Sequence, residues 1–129
     1  MRDNAKTQTC KKMAVEFLQL VVAGRIEEAY LKYVDMSGKH HNPFFAAGFP
    51  ALKQAMIEDH IRFPNKQLMI KNALGDDEMV AVHSHLIPRP GEAGLAVVHI
   101  FRFKASRIVE IWDCVLHIPA DSPNTDGAF

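Results

Sequence analysis

Between Thr9 and Val22 apolar side chains recur at Met13, Val15, Phe17, Leu18, Leu20, Val21 and Val22, with Lys11, Lys12, Glu16 and Gln19 opposite. A broad apolar face at the helical period predicts an amphipathic helix, which Gly24 ends. Ile26 to Val34 reads as a second, shorter helix with Ile26, Ala29, Tyr30, Tyr33 and Val34 on one side. From Ser37 to Gly48 the pattern is lost, and Gly38, Asn42, Pro43 and Gly48 predict a loop. Pro50 suits the first residue of a third helix that runs to about Phe63 and stops at Pro64-Asn65. Leu52, Met56, His60 and Phe63 share one stripe of it.

The second half changes period. Gln67–Leu74 and Met79–Ile87 read as strands joined by the turn Gly75-Asp76-Asp77-Glu78. After a breaker-rich segment, Pro88–Glu92, the stretches Leu95–Lys104 and Ile108–Ile118 form a second hairpin. Helices first and antiparallel strands second predict an α+β domain, its helices on one face of a curved sheet. Residues 1–8 and 119–129 are polar and read as terminal tails of a single domain, 1–129.

The last hairpin can be registered from its charges. Leu95, Val97, His99, Phe101 and Phe103 alternate toward the core, while Arg102 and Lys104 face out. On the next strand Glu110 faces out, leaving Val109, Ile111, Asp113, Val115 and His117 inward. A three-residue loop, Ala105–Arg107, sets Lys104 opposite Ile108 and Arg102 opposite Glu110, a favourable cross-strand pair. The same register places Phe101 against Ile111 and His99 against Asp113; a slip of one residue would separate that last pair to opposite faces. Burial among Phe101, Phe103 and Ile111 raises the pKa of Asp113, whereas a protonated His99 lowers it. If desolvation wins, Asp113 is an acid or base usable near neutral pH; if the ion pair wins, the two are a structural pair.

Composition narrows the classes. Among 129 residues Lys+Arg and Asp+Glu are 15 each, so the formal net charge is zero. Without a basic stripe, binding to nucleic acid or to an anionic membrane is not expected. No apolar run approaches a bilayer span, and the polar start MRDNAKTQTCKK lacks a signal core, which predicts a cytoplasmic protein. Cys10 and Cys114 make no disulfide framework or CxxC site. Cys114 faces outward with no basic partner, so a thiol nucleophile is not expected. Seven histidines stand out, since imidazole is the side chain most suited to proton transfer near pH 7.

The string GLAVVHIFRFKASRIVEIWDCVLHIP resembles the end of the SnoaL-like polyketide cyclases, within the nuclear-transport-factor-2-like (NTF2-like) superfamily. KHHNPFFAAGFPALKQAM and the tail SPNTDGAF resemble the same family, and the likeness spans about Met13 to Phe129. The resemblance implies a cone-shaped α+β barrel whose helices close over a strongly bent antiparallel sheet. It implies a homodimer through the outer sheet face, where Trp112 would sit. It also implies an Asp on the last strand as acid/base with a His beside it, which the spacing transfers to Asp113 and His99. The reaction would be an aldol-type ring closure, or a related isomerisation or proton transfer, on a small hydrophobic carbonyl compound, with no metal or organic cofactor. Ala105-Ser106 stands where the family usually carries an Asn/Asp-Gly turn.

Within such a cavity His41, His83, His85, Tyr33, Phe101 and Ile111 are expected to contact substrate, His41 at the mouth and at least one of His83 and His85 on the wall. His40 is expected to be exposed. His83, His85 and His99 would be a possible metal set, yet the Glu a cupin-like motif requires after the second His is missing. The competing class is a non-catalytic module that holds a small molecule in the same pocket.

Overall fold

A computed structural model describes residues 4–129. Three helices, α1 (Ala5–Val22), α2 (Ile26–Tyr33) and α3 (Phe49–Arg62), pack against five strands. These are β1 (Val34–His40), β2 (Gln67–Asp76), β3 (Met79–Ile87), β4 (Leu95–Lys104) and β5 (Arg107–His117). The expected N-terminal tail is shorter than eight residues. Asn4 caps α1, its Oδ1 accepting the Thr7 N–H at 3.0 Å, so residues 5–8 are already helical. Residues 1–3 of that tail lie outside the described residues.

The stretch read as a loop from Ser37 lies partly in a strand. β1 pairs in parallel with β5, Val34 opposite Ile108 and His40 opposite Ile111. The sheet, in the order β1-β5-β4-β3-β2, is therefore mixed rather than wholly antiparallel, and it is not closed. Sequence pattern misses β1 because VDMSGKH does not alternate. Asp35 Oδ1 accepts from both the N–H and the hydroxyl of Ser37, at 3.0 and 2.7 Å. Gly38 is required here. A Cβ at that position would stand 2.3 Å from the Val109 carbonyl oxygen and 2.7 Å from the Phe49 ring.

The core lies between α1 and the concave face of the sheet. Phe17 on α1 is fully buried, edge-on to Tyr30 at 5.5 Å and to Phe101 at 6.0 Å. Burying one such side chain stabilises the fold by about 1.5–3 kcal/mol. Val80 and Val82 of β3, Phe101 and Phe103 of β4 and Ile108 and Ile111 of β5 supply the opposite wall.

The register around the predicted pair is as expected: His99 faces Asp113, Phe101 faces Ile111 and Arg102 faces Glu110. The turn differs. Ala105-Ser106 is a two-residue connection with φ of 50° and 63°, so Lys104 lies opposite Arg107 and Phe103 opposite Ile108. An irregularity between Arg102 and Phe103 absorbs the extra residue of β5 and restores the expected pairing beyond it. Consequently Ile108, and not Val109, is the fully buried core residue at that end. On the outer face Glu110 is itself buried. Its Oε2 lies 2.6 Å from His41 Nε2, and its Oε1 accepts from Arg102 Nε and Nη2 at 2.9 and 2.7 Å. The His41 and Arg102 hydrogen bonds hold this carboxyl below its usual range. Among the described residues no helix is long and apolar enough to cross a membrane.

Candidate active site

Three elements enclose a cavity of about 230 Å³ over the concave face. Helix α1 contributes Leu18 and Val21, α3 contributes Leu52 and Met56, and the sheet contributes Val97 and Leu95. Helical spacing puts each of those helix pairs on one stripe, three or four residues apart. The volume lies below the ~300–1,000 Å³ of pockets for drug-sized ligands, so a guest must be small. Half-exposed Phe45 and Val115 border it, which places its mouth at their end.

Asp113 and His99 both line this cavity, on neighbouring rungs of β5 and β4. Their side chains are 13% and 17% exposed, and His99 Nε2 lies 3.6 Å from Asp113 Oδ1, beyond a hydrogen bond. Asp113 Oδ2 accepts from Asn42 Nδ2 at 2.8 Å. The amide of Asn42 is oriented in turn, since its Oδ1 accepts the Phe44 N–H at 3.0 Å. One carboxylate oxygen is thus engaged, and the other looks toward the imidazole across a gap. Desolvation pushes the His99 imidazole below its ordinary pKa, against the opposing pull of the Asp113 charge, so His99 is neutral at pH 7. A neutral ring facing a carboxylate carries its proton on the near nitrogen, Nε2. Nδ1 is buried without a hydrogen-bond partner among the described residues. Such a pair can accept a proton at Oδ1 and donate a hydrogen bond from Nε2.

The other expected contact residues are not brought to this cavity. His41 sits on the outer face, stacked on Trp112 at 5.1 Å and joined to Glu110. Its neighbour Asn42 is the one that turns inward. His40, expected outside, is buried: its Nδ1 accepts the Asn42 N–H at 3.1 Å, so its Nε2–H donates to the Ala46 carbonyl at 2.8 Å. His83 and His85 lie opposite Val98 and Ala96, on the face away from His99, and Phe129 of the C-terminal segment packs on both rings. That separation dissolves the His83/His85/His99 metal set. Tyr33 directs its hydroxyl to Glu16 and Lys32 between α1 and α2. Phe101 and Ile111 are core residues beneath the pair rather than cavity walls.

Three polar residues that periodicity could not single out do line the cavity: Asn42, Asp59 and Lys66. They come from the segment after β1, the last turn of α3 and the segment before β2, so chain path alone brings them together. Tyr30 stands behind the wall, its hydroxyl 3.1 Å from the sulfur of Met56. Burial, reinforced by the Asp113 charge, raises its pKa and keeps the phenol protonated.

No family model matches the sequence, and no curated protein does. Solved structures match the fold. A SnoaL-like protein of unknown function from Burkholderia thailandensis superposes with a TM-score of 0.71 at 14% identity, over 85% of this chain and 96% of that one. A candidate SnoaL-like polyketide cyclase from Jannaschia sp. CCS1 gives 0.68 at 12% identity, covering 89% and 90% of the two chains. An NTF2-like protein of unknown function from Cytophaga hutchinsonii gives 0.63 at 8% identity, covering 90% and 95%. At such identities the likeness concerns architecture: this chain has the SnoaL-like, NTF2-like α+β cone fold, three helices against an open five-stranded mixed sheet.

Proposed function

We propose that the protein is a cofactor-independent acid/base enzyme acting on a small hydrophobic carbonyl compound. The observation that supports this reading is the Asp113 carboxylate, with one oxygen held by Asn42 and the other 3.6 Å from His99 Nε2, in a mainly aliphatic cavity. In this reading Asp113 Oδ1 takes a proton from the carbon next to a carbonyl. The neutral His99 donates from Nε2 to the oxygen that becomes the enolate, and a neutral donor loses no strength to charge desolvation. Asp113 then returns the proton to a different carbon, giving isomerisation, or the enolate carbon closes on a second carbonyl whose oxygen takes the proton back from Asp113, giving an aldol ring. His83 and His85 have no part in either step. The protein works as a homodimer through the outer sheet face and resides in the cytoplasm, a reading consistent with its two unpaired cysteines.

The test needs no knowledge of the natural substrate. Proton abstraction next to a carbonyl exchanges that hydrogen for deuterium in D₂O, which mass spectrometry reads across a panel of cyclic and aryl methyl ketones. Wild-type protein should accelerate exchange for some member of the panel. Asp113→Asn should lose about 10²-fold or more of that acceleration while its circular dichroism is unchanged. Undiminished exchange in Asp113→Asn would remove the acid/base assignment. Ketones that bind without exchange in either protein would favour the alternative, a non-catalytic small-molecule-binding module.

A further inference from the structure

At the end of the cavity away from Asp113 stands a cation that the proposed proton transfer does not use. Lys66 immediately precedes β2, whose Leu68 lies opposite Leu86, itself opposite Leu95. His99 is four residues further along β4 than Leu95, about 13 Å at the rise of a strand. Lys66 and the Asp113/His99 pair therefore occupy opposite ends of one cavity whose walls between them are Leu68, Leu86, Leu95 and Val97.

The Lys66 side chain is only 6% exposed, an unusual burial for a lysine. Its ammonium forms an ion pair with Asp59, whose own side chain is 47% exposed. Asp59 is thus half in water, which weakens its charge, while the lysine side chain is buried and lines the cavity beside it. An ammonium has three N–H donors, and among the described residues Asp59 supplies its one side-chain acceptor. The remaining donors can serve an acceptor that arrives in the cavity. An anionic oxygen satisfies them best, because a charge-assisted hydrogen bond is about twice as strong as a neutral one.

We infer that Lys66 is a specificity residue and that the substrate is a keto acid or similar compound. Its carbonyl lies at Asp113 and His99, an apolar body spans the cavity, and a carboxylate or equivalent anion is held by Lys66 at the far end. The anion lies remote from Asp113 and shares the Lys66 ammonium with Asp59. This inference rests on the reading of the cavity as a carbonyl site.

A matched pair of probes tests it: 3-(4-acetylphenyl)propanoate and the corresponding neutral propanamide, alike in size and shape. Affinities are read by ¹H–¹⁵N NMR titration of the wild-type protein and of Lys66→Met, which keeps the length of the stem. Wild-type protein should bind the carboxylate about tenfold more tightly than the amide, with shifts at residues on both ends of the cavity. In Lys66→Met that preference should vanish while amide affinity is kept. Equal affinity for both probes in the wild type would overturn the role of Lys66 and leave the carbonyl site standing. Should neither probe bind, this inference and the carbonyl site fall together. The wild-type comparison decides the matter even if Lys66→Met does not fold.

Discussion

At the scale of single residues, His99 combines two opposed demands. Its imidazole is pushed toward the neutral form by desolvation, and the nearby carboxylate only partly offsets this. The consequence for stability has a definite sign. Well above pH ~6.5 the ring is neutral in both folded and unfolded chains and titration contributes nothing. As the pH falls below that value the unfolded chain binds a proton that the folded chain resists, so stability drops until the depressed folded pKa is reached. Urea midpoints measured from pH 7.5 down to 5 should therefore decline in the wild type, and decline less steeply in His99→Gln. A parallel decline in the two proteins would show that His99 is hydrated and not desolvated. Asn42 acts at the same scale by another route: its amide fixes Asp113 without charge, leaving the second oxygen toward His99.

At the scale of elements, the turn Ala105-Ser106 carries two non-glycine residues at positive φ, 50° and 63°. Two-residue hairpins of this geometry favour Asn-Gly, since Asn and Gly enter the left-handed region with little steric cost. Replacing Ala105-Ser106 by Asn-Gly should stabilise the fold by about 1 kcal/mol, a rise of about 3–5 °C in Tm by calorimetry. No rise would mean that the strands impose the turn at no cost. This hairpin also shows what the sequence can and cannot convey. The charges of Arg102 and Glu110 and the alternation of Val97, Phe101 and Phe103 were enough to pair His99 with Asp113. The turn itself is shorter than the sequence suggests, and an irregularity in β5 compensates for it so that the pairing of His99 with Asp113 is kept. β1 was illegible because a polar edge strand held by a parallel neighbour needs no alternation. The face of His83 and His85 was readable in principle, since Val80 and Val82 alternate with them and are buried. Asn42, Asp59 and Lys66 could not be assembled from pattern, because nothing local links an inter-element residue to a strand rung.

At the scale of the whole molecule, the two faces of the sheet have different fates. The concave face is covered by helices, whereas the convex face leaves Leu74 56%, Met69 41% and Leu116 66% exposed. The pairing sets Leu74, Ala81, Ile100 and Trp112 on one rung and Met69, His85, Ala96 and Leu116 on another, and the half-exposed ring of Phe129, packed on His83 and His85, continues the apolar surface between them. Contiguous apolar surface of this kind marks an interaction site more often than isolated exposed side chains do. Trp112, braced by its stack on His41, is of the residue type most enriched among interface anchors. A two-fold pairing of these faces would cover the apolar rungs and leave the cavity mouths, on the opposite side of each sheet, open to substrate. The proposed dimer therefore predicts a solution mass of about 29 kDa by light scattering, twice the 14.5 kDa of one chain. Leu74→Glu provides the sharper check, because Leu74 is exposed in the single chain and a charge there should not disturb folding. Buried across a symmetry axis, two such carboxylates would meet desolvated, and the mass should fall to that of the monomer. A wild-type protein that runs at 14.5 kDa, or a Leu74→Glu dimer as tight as the parent, would show that this face is not where the chains meet.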